Sequence, residues 1–323
     1  MQPKHISILL PTYNCFCSRL VTMLQSQCHA LAITRADFDY EIIVADDCST
    51  DRSFVAANSV IETLEGVRYV RLDHNMGRSA IRNFLAHEAR LEWLLYIDGD
   101  LQVERHDFVE NYAFADVGPT LPPRAVVVGG IAIGGDAQQW EENLRWTYEK
   151  RCEAAHSVAS RQRLAGQEFR TTNFLVPREA VLQHPFDENF RRYGYEDVLF
   201  GKVLTDNGYV ITHIDNPVLL DDFESNGVFV DKTEEACRTL FEFRRQLHGY
   251  SRLLSTVERL QRLRLLSVTE VMWHVAGKTS RRRLCNKHPS VTLYNAYKLL
   301  YMVHLFKSCE TTNHKQQKTT KQK

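Results

Sequence analysis

The residues with the clearest chemistry are Tyr96-Ile97-Asp98-Gly99-Asp100-Leu101. An apolar run from Trp93 leads into two carboxylates separated by one glycine. Two acids at the end of an apolar strand are costly to bury unless a cation offsets them. A hard divalent ion does so, because Mg2+ and Mn2+ prefer oxygen ligands and usually arrive with substrate phosphates. The glycine permits a tight turn and the close approach of a ligand. Taken alone, the tripeptide also reads as a strand closed by an Asp-Gly turn. Two further acidic pairs stand elsewhere, Asp46-Asp47 and Glu196-Asp197. A carboxylate at a loop-to-helix entry is suited to take a proton from an attacking hydroxyl, and it is also what a helix dipole favours.

The elements that must position these acids follow from the hydrophobic pattern. Residues 6–10 read as a buried strand ended by Pro11-Thr12-Tyr13-Asn14. Residues 17–30 read as a helix, with Leu20, Leu24 and Cys28 at four-residue spacing. A second strand, 41–45, runs into Asp46-Asp47-Cys48-Ser49-Thr50-Asp51, where Ser49 or Asp51 caps the next helix. A third strand, 67–72, is followed by Asn75-Met76-Gly77-Arg78-Ser79 and a helix over 79–91. Strand and helix thus alternate three times before the strand that ends at Asp98, which predicts an open parallel sheet with right-handed crossovers. In such sheets ligands bind outside the carboxyl ends of the strands, so Asn14, Asp46, Asp47, Asp98 and Asp100 should converge. No GxGxxG follows the first strand, so a dinucleotide fingerprint is missing. Further on, 125–130 and 171–177 read as strands, 140–162 as one long polar helix carrying Trp140, Trp146 and Tyr148, 209–214 as a strand, and nearly everything from Asp231 as helix.

The chain has 323 residues, 44% hydrophobic and 25% charged, the balance of an ordinary globular chain of one large or two small domains. No charged stretch followed by a long apolar one opens the sequence, so no secretion signal is expected. No uninterrupted apolar run reaches about 18 residues, so no transmembrane helix is expected either. The eight cysteines form no CxxC pair and read as free thiols of a reducing cytosol, serving as small core residues. The zero net charge hides an asymmetry: from Cys237 onward there are 18 Lys/Arg against 4 Asp/Glu, leaving 22 against 36 before it. The Leu/Arg pattern of 252–266, with Trp273, Tyr294, Tyr297, Tyr301 and Met302 beyond it, fits helices lying at an anionic membrane surface; a helical subdomain with a solvated basic face is the plainer reading. No nucleic-acid module accompanies the charge.

Several spaced motifs agree on one family. Pro11-Thr12-Tyr13-Asn14, Val44 to Asp51, Asn75-Met76-Gly77-Arg78 with Ala80-Ile81-Arg82-Asn83, Asp98-Gly99-Asp100, Tyr195-Glu196-Asp197 and Asn216-Pro217-Val218 occur in an order and spacing that resembles the family 2 glycosyltransferases across roughly residues 5–230. The resemblance implies an α/β GT-A fold, with a Rossmann-like, mostly parallel central sheet flanked by helices. Here the catalytic domain would span 1–230, with a basic amphipathic helical extension over 231–310 and a disordered tail over 311–323.

The resemblance also implies roles. Asp47 would hydrogen-bond the nucleotide base, with Pro11, Tyr13 and Asn14 lining its pocket. Arg78 would contact the diphosphate or the metal-bearing loop, Asp98 would face the ribose or sugar, and Asp100 would bind Mn2+ or Mg2+. Asp197 would be the catalytic base, with Glu196 holding the acceptor or the sugar. The implied reaction is inverting transfer from a nucleotide-sugar donor, a UDP-sugar foremost, to a glycan or lipid-linked acceptor, as in polysaccharide biosynthesis. The expected location is cytoplasmic, with peripheral contact at the inner face of an anionic membrane. The sequence departs from the pattern at Leu220, where a metal-binding histidine is often found. That leaves the ion with fewer protein ligands or with Asp221 in that place, while His213 reads as a satisfied histidine. Arg78 and Arg82 fit a solvated helix face as well as a functional pair. Thr172 and Asn173 fit either sugar contacts or a polar strand end. The alternatives are a degenerate protein that only binds a nucleotide-sugar or a partner, and a nucleotidyltransferase, for which a basic glycine-rich loop after the first strand is wanting.

Overall fold

The computed structural model describes residues 4–114 and 124–320. In chain order the elements are β1 (His5–Thr12), α1 (Ser18–Thr34), β2 (Asp39–Asp46), α2 (Arg52–Asn58), β3 (Val67–Arg71), α3 (Arg78–Glu88), β4 (Trp93–Ile97) and α4 (Phe108–Ala113). Next come β5 (Ala125–Val128), β6 (Ile131–Ile133), α5 (Ala137–Trp140), α6 (Leu144–Glu153), α7 (Val158–Arg163), β7 (Asn173–Pro177) and α8 (Arg178–Gln183). The chain continues with α9 (Glu196–Asp206), β8 (Val210–His213), β9 (Val218–Leu220), α10 (Asn226–Glu242), α11 (Arg252–Arg262), α12 (Leu266–Leu284) and α13 (Val291–Thr320).

The chain divides into two compact units. The first holds Met1–Gly134, Glu153–Arg191 and Glu196–Asp222; the second holds Gly135–Cys152, Arg192–Tyr195 and Phe223–Lys323. The boundary read near residue 230 falls inside α10, which starts at Asn226.

In the first unit a seven-stranded sheet runs β3-β2-β1-β4-β7-β5-β8. β1 pairs in parallel with both β2 and β4, so the order reverses between β1 and β4. Crossovers on opposite sides of such a point leave a crevice at the strand ends, and it is there that Thr12 and Asp98 leave the sheet. The sheet is mostly parallel, as expected. The exception is β7, antiparallel to both β4 and β5. Its core is aliphatic and aromatic, with Leu9, Ile43, Tyr96 and Phe174 packed among Ile81, Leu85, Phe186 and Phe200.

The long helix read over 140–162 is three shorter ones. Asn143 accepts from the Trp146 N–H at 2.9 Å and Ser157 from the Ser160 N–H, so two capping side chains restart the helix where the apolar pattern alone reads straight through. Asp51 is the N-cap of α2, accepting from Ser53 N–H at 2.8 Å.

The second unit is helical. Leu144, Phe229, Val230, Leu284, Tyr294 and Tyr297 form its core, with Tyr148 and Trp273 packed against them. Tyr148 is thus a core aromatic, and Trp140 packs edge-on against Phe223. α13 continues into the polar segment read as a disordered tail: it meets no proline or glycine, and its Lys and Gln residues are good helix formers. The last three residues of that segment lie outside the described residues. Among the described residues no helix is long and apolar enough to cross a membrane.

A buried carboxylate ties the sheet to the segment entering β4. Glu41 accepts from Ser7 Oγ at 2.7 Å, from the Arg90 N–H at 2.6 Å and from Arg90 Nε at 3.0 Å. Burial pushes its pKa up, but these donors outweigh it and hold the carboxyl below its usual range. A lowered carboxylate pKa contributes stability above the unfolded-state value and loses it as pH falls. Glu41→Ala should therefore cost about 1–3 kcal/mol at pH 7 in chemical denaturation, and the gap to wild type should narrow in acid.

Candidate active site

Three strand ends and one helix start build the site, all within the first unit. At the end of β4, Asp98 N–H donates to Thr172 O and Gly99 N–H to Pro11 O, which pins the acidic loop to β7 on one side and β1 on the other. Gly99 answers to a steric demand: a Cβ there would meet Thr12 Cγ2 at 2.4 Å and Pro11 O at 3.1 Å. Asp98 is largely buried and Asp100 is exposed.

Arg82, on α3, is the residue that sequence reasoning undervalued. A cation on an amphipathic helix reads as surface, yet this one is 2% exposed. Its Nη2 donates to Asp98 Oδ1 at 2.7 Å, and its Nη1 lies 3.7 Å from Glu196 Oε1. One guanidinium thus links the end of β4 to the start of α9. Arg78, one turn earlier and half exposed, lies 4.0 Å from the same Glu196 oxygen. The sequence signal is its place in the motif Ala80-Ile81-Arg82-Asn83, which fits a solvated face as well as a functional pair. Glu196 Oε2, Arg82 Nε and Ser79 Oγ are buried without a hydrogen-bond partner, a cost that a bound polar ligand would relieve.

The chain enters α9 through two left-handed residues, Gly194 (φ 94°) and Tyr195 (φ 69°). Asp197 follows Glu196 in the first turn, and its Oδ1 accepts from the Val198 N–H at 2.7 Å. Burial pushes the Asp197 carboxyl up to about 6, and the adjacent Glu196 charge adds to the rise. The Val198 N–H, Arg170 and Arg82 pull the other way.

The loops after β1 and β2 hold each other. Asn14 takes a left-handed conformation (φ 47°). Its Oδ1 accepts from the Thr50 and Asp51 N–H groups at 2.9 and 3.1 Å, and its Nδ2 donates to Thr50 Oγ1. Asp47 Oδ1 accepts from the Met76 N–H at 2.6 Å and Oδ2 from the Gly77 N–H at 3.0 Å, which fixes the turn into α3. Asp46 is spent on Ser49 N–H and Tyr69 O–H. The side chains of Asn14 and Asp47 are therefore engaged within the protein, whereas Tyr13 stands 47% exposed at the rim.

Other polar candidates are structural. Asn173 accepts from Tyr112 O–H at 2.6 Å and donates to Gly130 O and Asn216 O. His213 is buried, taking Arg161 Nη1 at 3.0 Å on Nδ1 and giving Nε2–H to Ala165 O at 3.1 Å. That arrangement uses the neutral ring, whose pKa burial lowers. Leu220 is 3% exposed in β9 and offers no donor. Beside Thr172 and Arg170 lies a cavity of about 30 Å3, also lined by Gly130, His156 and Arg161, with room for a water or two rather than a sugar.

The donor set at the end of β4 consists of carboxylate oxygens, which fits a hard divalent cation. The segment just past it adds another acid. Gln102 bridges Leu219 antiparallel, with N–H···O bonds of 2.9 and 2.8 Å. By that count Asp221 falls level with Asp100.

Comparison with known proteins bears on the whole arrangement. The model of the family described as Glycosyl transferase family 2 matches residues 7–183. An uncharacterized glycosyltransferase of Haemophilus influenzae is 28% identical over 106 residues, 33% of this chain and 38% of that protein. The poly(ribitol-phosphate) beta-N-acetylglucosaminyltransferase TarS of Staphylococcus aureus is 27% identical over 114 residues, 34% of this chain and 18% of TarS. The similarity thus spans well under two thirds of either relative. Among solved structures, the mannosyltransferase PcManGT of Pyrobaculum calidifontis, in complex with GDP-Man and Mn2+, aligns with a TM-score of 0.56 at 14% identity, covering 94% of this chain and 86% of that one. That likeness is one of fold, the GT-A architecture.

The steric fit at Gly99 is testable by stability alone. Gly99→Ala should cost about 1–3 kcal/mol. Adding Thr12→Ser, which removes the methyl but keeps the hydroxyl bonded to Ala45 O, should restore part of the loss. A double variant no more stable than Gly99→Ala would mean that the methyl is not the obstacle.

Proposed function

The chain belongs to glycosyl transferase family 2, and we propose that it moves a sugar, with inversion, from a nucleotide-diphosphate donor to a hydroxyl of a glycan or lipid-linked acceptor. The observation that carries this reading is Asp197, a carboxyl at the start of α9 raised to about 6 by burial and by Glu196. Such a group is ionised at neutral pH yet holds a proton far better than an ordinary aspartate, as a general base should. Inversion needs one base on the face opposite the leaving group, and Asp197 is assigned that role. Glu196, with one buried oxygen unpartnered, is assigned to a hydroxyl of the acceptor or the sugar.

At the opposite pole of the reaction, Asp98 is assigned to the ribose or sugar and Arg78 to the diphosphate. Mn2+ or Mg2+ would be held by Asp100, with Asp221 as the further ligand that its register favours. Such an ion, when bound, supplies charge neutralisation for the departing diphosphate. For the nucleotide, Pro11 and Asn14 would form the wall and Tyr13 an exposed ring. Asp47 keeps spare lone pairs on both oxygens for the base edge. A UDP-sugar is the proposed donor class, and the Mn2+ and GDP-Man named for the Pyrobaculum enzyme support a metal and a nucleotide-sugar in general.

The test is a panel of nucleotide-sugars with Mn2+, Mg2+ or EDTA, read as nucleoside diphosphate release with and without acceptor. Release with one sugar should vanish in EDTA and in Asp100→Ala, and should fall by about 100-fold or more in Asp197→Ala. Because the base must be ionised, the rate should drop as pH falls through about 6. Release that survives EDTA and Asp100→Ala would remove the metal, and a rate indifferent to Asp197→Ala would remove the base. Tight donor binding without any turnover would leave a binding protein.

The second unit supports the proposed membrane contact. Val268, Val271, Met272 and Val275 lie at i, i+3, i+4 and i+7 on α12 and are 60%, 62%, 55% and 78% exposed. Leu263 and Leu265 are exposed just before them. Exposed Arg259, Arg262 and Arg264 flank this face at one end and Lys278, Arg282 and Arg283 at the other. An apolar strip between cationic ends suits an anionic bilayer, whereas a second copy would bring like charges together. The full chain should cosediment with phosphatidylglycerol vesicles and not with phosphatidylcholine vesicles. Val271→Glu with Val275→Glu should abolish this, and equal binding by that variant would rule the face out.

A further inference from the structure

Away from the carboxylate crevice, α12 and α13 bring together a donor set that sugar transfer does not use. Glu270 and His274 lie one turn apart on α12, and His304 reaches them from α13. Glu270 Oε1 is 2.8 Å from His304 Nδ1 and 3.0 Å from His274 Nε2. One ligand atom from each of the three residues lies within 4.8 Å of the others. Trp273 lies against the His304 ring at 5.2 Å, with planes 23° apart, and the His274 ring meets His304 edge-on at 5.8 Å. The imidazoles are therefore oriented, not merely nearby.

A second observation points to a ligand. The other carboxylate oxygen, Glu270 Oε2, is buried with no hydrogen-bond partner. If the cluster were only an ion pair, both imidazoles would crowd one oxygen and leave the other a buried acceptor without a donor, which is costly. A divalent ion can take both oxygens of a carboxylate, so it would satisfy the orphan and the two ring nitrogens together.

We propose that Glu270, His274 and His304 bind a borderline transition-metal ion, Zn2+ foremost, as a clasp between α12 and α13. Two imidazoles and one carboxylate make a nitrogen-rich set suited to zinc and its neighbours, whereas Mg2+ and Mn2+ favour oxygen. The observed spacings are slightly shorter than the ~3.3 Å edge of a tetrahedron with bonds of ~2.0 Å, so the side chains part by a few tenths of an ångström to admit the ion. Each ring enters in the tautomer that leaves the facing nitrogen bare. With the carboxylate counted as one position, the fourth is left to water on the side where His274 is 65% exposed. The site is independent of the donor reading, because its residues lie in the second unit and none belongs to the proposed transfer chemistry.

The full-length chain, stripped with chelator and dialysed, is titrated with Zn2+ by calorimetry, beside Asp100→Ala, His274→Ala and His304→Ala. Co2+ in place of Zn2+ gives a visible spectrum that reports geometry. The expected result is a single saturable equivalent that survives Asp100→Ala and weakens at least about tenfold in each histidine variant, with the intense bands of tetrahedral Co2+. Zn2+ should also raise the melting temperature of wild type and not of His274→Ala. His274 is a surface residue, so its replacement should leave the metal-free melt unchanged and decides the matter if His304→Ala folds poorly. No saturable uptake, or uptake unchanged in His274→Ala, overturns the proposal.

Discussion

A single buried guanidinium holds the acids of the crevice together. Arg82 is 2% exposed, hydrogen-bonds Asp98 at the end of β4 and lies 3.7 Å from Glu196 at the start of α9. Burying a carboxylate without a partner is costly, and removing one partner from a buried pair leaves the whole penalty behind. Arg82 spreads its charge over two acids from elements far apart in the chain. Asp197 is half-buried beside Glu196; loss of water and the Glu196 charge raise its proton affinity, with Arg82 opposing them. Base strength and the ion-pair scaffold therefore share one setting, neighbouring carboxylates withdrawn from water.

The other loops are rigid for a different reason. Asp46, Asp47 and Asn14 satisfy backbone N–H groups that would otherwise be orphaned where strands end and helices begin. Left-handed conformations at Asn14 and Cys48 are tolerated because these bonds over-determine the chain there. The polar residues that crowd the strand ends thus fall into two groups. Some hold the loops, and others, Tyr13 and Asp100, are exposed at the strand ends.

Much of this was readable from sequence, for identifiable reasons. β1 to β4 announce themselves by short apolar runs, each closed by polar residues, and the convergence of their carboxyl ends follows from topology alone. The acidic motifs were found because carboxylates after a buried strand are conspicuous. What escaped depends on partners distant in sequence. Arg82 reads as surface until β4 and α9 are placed beside it. The antiparallel insertion of β7 between β4 and β5 leaves no mark on its own composition. The breaks at Asn143 and Ser157 need the caps to be recognised inside a continuing polar pattern. Asn14 and Asn173 look like candidates for ligand contact because amides are versatile, and only the count of their hydrogen bonds shows them occupied.

Charge balance ties the proposed donor chemistry to the fold. A nucleoside diphosphate brings negative charge to a crevice already lined by Asp98, Asp100, Glu196 and Asp197. Arg82 is committed to Asp98 and Glu196, and Arg78, half exposed, lies 4.0 Å from the same Glu196 oxygen. On the proposed reading positive charge would arrive with the donor as a hard divalent ion, for which the oxygen donors at the end of β4 are suited. The same reasoning with opposite sign applies to the second unit, where the cationic ends of the α12 face have too few acids nearby to pair with. On the proposed reading the compensating charge there would be a lipid surface, anionic and extended. The near-zero net charge of the whole chain conceals these two local imbalances.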